Sequence, residues 1–95
     1  MSETELADSI AGAVLAVPGV AALHPGMFGE VGTYLPGRRV TGVRITDDTV
    51  DVHVTVHEGV DLRGTAAAVR DAVARVTARP TVDVTVEDIT PAVRP

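Results

Sequence analysis

The stretch VDVHVTVH, residues 50–57, decides the fold. Val50, Val52, Val54 and Val56 alternate strictly with Asp51, His53, Thr55 and His57. A period of two with β-branched residues on one side describes a strand with one dry face and one wet face. The same one-sided pattern returns where Val82, Val84 and Val86 alternate with Thr81, Asp83, Thr85 and Glu87. Between the two, Leu62, Ala66, Val69, Val73 and Val76 recur at spacings of three and four, which predicts a helix with Asp61 as its cap and Pro80 as its end. A strand, a helix and a strand in this order form a right-handed crossover, so the two strands are expected to lie parallel in one sheet.

Toward the N-terminus, Leu6, Ile10, Ala13, Val14 and Val17 draw an apolar stripe along a second helix, with Ser2 and Glu5 placed as a capping box and Pro18-Gly19 as the stop. Val20–Leu23 reads as a short strand. Arg39–Thr46 reads as another, in which Val43 and Ile45 share a face and Val40 falls out of phase, so a bulge is expected near Thr41–Gly42. Asp47-Asp48 is the turn that follows. The predicted order is helix, strand, strand, strand, helix, strand. This is an α/β (α+β) two-layer sandwich with one mixed sheet and both helices on one face, built as a single domain over residues 1–95, with a Gly-rich loop at 24–39 and a frayed tail at 90–95. The other sheet face, carrying Arg44, Asp51, His53, Thr55, His57, Asp83, Thr85 and Glu87, is expected to be exposed and pH-responsive.

The composition narrows the function. All eight basic residues are arginines, they are scattered, and the formal net charge is −5. A nucleic acid needs clustered positive charge, and anionic lipid would be repelled, so neither is an expected partner. The chain has no cysteine, hence no disulfide framework and no thiolate metal site. Its apolar runs are too short to span a bilayer, and its start lacks the basic-then-apolar order of a signal peptide. A cytoplasmic domain is expected.

No arrangement of residues reads as catalysis. His53 and His57 share a strand face, but four residues along a strand span about 13 Å, too far to chelate one zinc ion together. Asp83 and Glu87 are separated in the same way, and Ser2 and Ser9 have no base beside them. Gly26-Met-Phe-Gly29 spells a G-x-x-G and the glycines continue to Gly32, yet they lead toward Pro36 and a strand rather than into a helix N-terminus, with Glu30 in the middle of the run. Neither a cofactor nor a metal is expected.

The loop HPGMFGEVGTYLPGRR, residues 24–39, holds both aromatic residues, Phe28 and Tyr34. Tyr34 and Leu35 are expected to tuck against the sheet as a satellite core. Met27 and Phe28 stand between Gly26 and Gly29, where glycine leaves the backbone free, and a flexible tip of this kind suits an adaptable protein contact. Met27, Phe28, Glu30, Arg38 and Arg39 are therefore the candidate partner-binding residues.

Read in order, IAGAVLAVPGVAAL, VTGVRI, VDVHVTVHEGVDL, AAAVRDAVARVT and VDVTVEDI resemble the small bacterial alkaline shock proteins, the envelope stress response family. The resemblance runs from about Leu6 to Ile89 and is most specific at Val17-Pro18-Gly19-Val20 and Glu58-Gly59-Val60. It implies a non-catalytic, stress-associated scaffold in the cytoplasm that gathers near the membrane through partner proteins, one of them membrane-anchored. The alternative reading of the residues is a regulatory domain that senses a small ligand or a metal between subunits. Unpaired sheet edges, the run Val50–Val56 without Lys or Pro, and the Ala-rich second helix point to a homodimer or larger assembly.

Overall fold

The computed structural model describes residues 2–79 and 81–91. Eight elements follow one another: α1 (Glu3–Leu15), β1 (Val20–Leu23), β2 (Gly32–Leu35), β3 (Arg38–Thr41), β4 (Val43–Ile45), β5 (Thr49–His57), α2 (Leu62–Val76) and β6 (Thr81–Thr90). The valine row belongs to β5, and all four of its valines are completely buried. β5 occupies the centre of a four-stranded sheet. One edge takes β6 in parallel along its whole length, from Thr49 opposite Thr81 to His57 opposite Thr90. The other edge is shared by two antiparallel strands laid end to end, β4 opposite Val50–Val52 and β1 opposite Val54–Val56.

The two helices cover the valine face. Ile10 and Val14 of α1 and Val69 and Val73 of α2 are fully buried against it. Ser2 caps α1 by accepting the Glu5 N–H at 3.2 Å. Asp61 stands at the N-cap of α2 without a side-chain capping bond. The buried stripe of α2 is Thr65, Val69, Ala72 and Val73, rotated from the expected one so that Leu62 lies 42% exposed. Burying β5 on one face and both edges explains why four valines suffice for the centre of a core with so few large side chains.

The joint between β1 and β4 depends on Gly42. Opposite it on β5, the His53 N–H donates to the Gly42 carbonyl at 2.9 Å, and the His53 carbonyl accepts from the His24 N–H at 2.8 Å. Gly42 has a φ of +79°, and a Cβ there would stand 2.9 Å from the Leu23 Cβ and 3.0 Å from the His53 carbonyl oxygen. Only glycine combines that backbone twist with that clearance. The bulge expected near Thr41–Gly42 is thus a change of sheet: the chain leaves β3, in a separate two-stranded sheet with β2, and enters β4.

That two-stranded sheet corrects the reading of residues 24–39 as loop. β2 and β3 form an antiparallel hairpin closed at Pro36-Gly37, with Thr33 opposite Val40 and Tyr34 opposite Arg39. The hairpin leans on the edge of the main sheet, where the Thr33 hydroxyl donates to the Val43 carbonyl at 2.5 Å. Alternation divides its side chains: Val40 is buried and Leu35 packs against the core, while Tyr34 is 74% exposed. The expectation that Tyr34 joins a satellite core therefore fails, because its neighbour Leu35 takes the inward position and two adjacent strand residues cannot share one face. The tail is corrected in part as well. Thr90 still belongs to β6 and its carbonyl accepts from the Glu58 N–H at 2.9 Å; the rest of the expected frayed segment, beyond Pro91, and the helix-ending Pro80 lie outside the described residues.

Two glycine substitutions separate backbone geometry from packing. Gly42→Ala is expected to cost about 3 kcal/mol of stability, through the positive φ and the crowding at the joint. Gly12→Ala, in the exposed part of α1 where an added Cβ meets nothing within 4 Å, is expected to stabilise by about 0.5–1 kcal/mol. Urea denaturation of both variants checks the pair.

Candidate functional site

Two surfaces remain after the core is assembled: the uncovered sheet face and the tip between β1 and β2. On the sheet face, β5 and β6 are in register up to Val54 opposite Val86, and the next pair is Thr55 opposite Asp88. Glu87 is the extra residue of a β-bulge. A bulge re-aims side chains, and here the Glu87 carboxylate reaches His53, whose Nδ1–H donates to Oε1 at 2.7 Å. Both side chains are about four-fifths buried, at 20% and 19% exposure. His53 is thus a held side chain and not the solvated one expected from its place on the polar face, whereas His57 is exposed. Among the described residues, no three His, Asp or Glu side chains gather in a way that could hold a metal ion.

The tip is tied from several directions. The His24 Nδ1 accepts the Gly26 N–H at 3.0 Å, which places its ring proton on Nε2 when the imidazole is neutral. The Val31 N–H donates to the Pro25 carbonyl at 2.8 Å and the Gly29 N–H to the Gly26 carbonyl at 3.2 Å. The Glu30 carboxylate folds back to accept the Phe28 N–H at 2.9 Å. Gly26 has a φ of +85°, and a Cβ on it would lie 2.7 Å from that carboxylate. Gly26 thus serves a hydrogen-bonded turn in which its positive φ and missing Cβ leave room for the Glu30 carboxylate.

Arginines hold the same turn from below. The Arg39 guanidinium donates through one nitrogen to the Gly29 and Val31 carbonyls at 2.5 and 2.8 Å, and Arg44 donates to the Glu30 carbonyl at 2.5 Å. Tyr34 lies across Arg39, with the guanidinium carbon 5.1 Å from the ring centroid. Arg39 Nε is buried without a hydrogen-bond partner, so this arginine acts as an internal strut covered by the tyrosine ring.

Of the five candidate partner-binding residues, Met27, Phe28 and Glu30 come together at the tip, where Met27 and Phe28 are 78% and 87% exposed. Arg39 is spent on the tip's own carbonyls. Arg38 points the other way, in a two-bond pair with Asp8 of α1 at 3.0 and 2.6 Å, and its guanidinium holds the Asp8 carboxyl below the ordinary carboxylate value. The His53–Glu87 contact is not legible from alternation alone. Its signal is the break Val86-Glu87-Asp88-Ile89, where two acidic residues interrupt the alternation and mark the bulge.

No protein-family model and no curated protein matches the chain. A solved structure, MamM CTD W247A, is similar over 100% of this chain and 99% of its own, with 17% identity and a TM-score of 0.57. At that identity the likeness is one of fold.

The Glu30 carboxyl is lowered from its ordinary value of 4.5, first by hydrogen bonds from its own backbone N–H, then by that of Phe28, by Arg44 and by His53, against some desolvation. A depressed folded-state value contributes stability above the unfolded pKa that is lost as pH falls through the folded one. The tip is therefore expected to loosen only as pH falls below the ordinary carboxylate range. Protection of the Phe28 amide, taken relative to its intrinsic exchange rate, should fall over that window in the natural chain, and Glu30→Gln should show no such step.

Proposed function

We propose that this chain is a non-catalytic regulatory domain that works as a self-associated module and receives a small ligand on its uncovered sheet face. The observation that carries the reading is the asymmetry of the sheet. Two helices bury one face, while the other holds a polar pair, His53 and Glu87, fixed at 2.7 Å and still partly open to solvent. A largely buried imidazole held against a carboxylate offers a cation or a hydrogen-bonding ligand a fixed pair of polar groups to meet. The full-length fold likeness to MamM CTD W247A, a C-terminal domain by its name, supports a regulatory or oligomerising module over a freestanding scaffold.

Calorimetry and imidazole NMR with zinc, nickel and a panel of metabolites test this. Saturable binding that moves the His53 signals and weakens at least tenfold, about 1.4 kcal/mol, in Glu87→Gln is the expected outcome. Absence of any binding that perturbs His53 would contradict it.

A second reading, the stress-associated scaffold of the envelope stress response family, draws support from the tip. Met27 and Phe28 are exposed on a turn whose backbone is held by hydrogen bonds, which lowers the ordering cost of a protein contact there. Such a scaffold would reach a membrane-anchored partner through that tip from the cytoplasm. Among the described residues, no helix is long and apolar enough to cross a membrane.

A further inference from the structure

Among the described residues, nothing pairs with the outer edge of β6 over its ten residues. This open edge has no Lys, Pro or Gly between Thr81 and Thr90, so those devices against pairing are absent from it. Its bulge comes late, at Glu87, and leaves Thr81–Val86 regular. The backbone direction is fixed by the Thr81 N–H, which donates to the Asp48 carbonyl on the β5 side. Backbone groups alternate sides along a strand, so Val82, Val84 and Val86 send their N–H and C=O groups outward. The side chains of these valines are only partly buried, because they lie at the margin of the layer that α2 covers.

We infer that β6 pairs antiparallel with β6 of a second copy of this chain, with Val84 opposite Val84, Val82 opposite Val86 and Asp83 opposite Thr85. The inference rests on the self-association proposed above and names its surface and register. Two-fold symmetry requires the antiparallel direction. A slip of one residue would place valines opposite acids on the wrong face. A slip of two residues in one direction sets Asp83 against Asp83, and in the other direction sets Asp83 against Glu87 twice. Like charges directly opposite one another destabilise a sheet. The stated register alone among these sets valine against valine, threonine against acid, and the three outward-facing residues of each copy against their counterparts. It forms about six inter-copy hydrogen bonds and makes one continuous sheet of the two domains, with the uncovered polar faces side by side.

The chain has no cysteine, so engineered disulfides read the register without background. Asp83 and Thr85 would form a non-hydrogen-bonded pair with Cα atoms about 4.5 Å apart, within bridging range, whereas Asp83 and Glu87 would be about 7 Å or more apart. Mixing Asp83→Cys with Thr85→Cys chains under mild oxidation should give a linked heterodimer as the main product, and mixing Asp83→Cys with Glu87→Cys should not. Val84→Pro removes an outward donor without touching the bonds to β5; sedimentation should shift from dimer to monomer while the far-UV spectrum is kept. A natural chain that sediments as a monomer from micromolar to millimolar concentration would overturn self-association and this pairing together. A natural dimer that gives no Asp83–Thr85 cross-link, or that persists in folded Val84→Pro, would overturn the β6 pairing alone. If Val84→Pro does not fold, the cross-links decide.

Discussion

Strand β5 is enclosed on three sides, and the rest of the molecule is arranged around that enclosure. Its four valines face the helices, its outer edge binds β6 along its full length, and its inner edge is filled by two short strands that meet opposite His53. A nine-residue strand cannot be matched by three- and four-residue strands singly, so two must abut. Backbone groups buried at that joint have to be satisfied, and Gly42 and His24 satisfy those of His53 at 2.9 and 2.8 Å. The chain between β1 and β4 then has to leave the sheet and return to the same point, and the β2–β3 hairpin is the path it takes.

The two candidate surfaces follow from this arrangement. Because the hairpin must turn back, the tip is tied by His24, Glu30, Arg39 and Arg44 and leaves Met27 and Phe28 outside. Glu87, which alternation places on the same open face as His53, is the extra residue of the β6 bulge, and its carboxylate meets the His53 ring there. Fold and site thus share a residue: the backbone of His53 holds the joint together while its ring makes the polar contact.

The parts of the fold legible in the sequence are those set by local periodicity. The alternation in β5 and β6 and the three-and-four spacing in α1 identify their elements, and the crossover rule makes β5 and β6 parallel. The hairpin was hidden because its strands have four residues each, too few for alternation to stand out among glycines and prolines. A one-sided valine pattern also does not say how many strands flank it. Nothing in Val50–Val56 itself rules out a free edge, yet β5 is central, and among the described residues the long open edge belongs to β6. The size of Tyr34 argues for an inward place, but position decides, since Leu35 and Val40 fill the inward sites. At the site, alternation places His53 and Glu87 on one face, but the pattern alone does not show that the two side chains meet at the bulge.

Native-state hydrogen exchange tests the central role of β5 most directly. The amides of Val52, His53 and Val54 should exchange only through global unfolding, with protection that tracks total stability as urea is added. Those of the β2–β3 hairpin should open at lower free energy with the main sheet intact. Amides of β5 that exchange as readily as those of the hairpin would contradict the account.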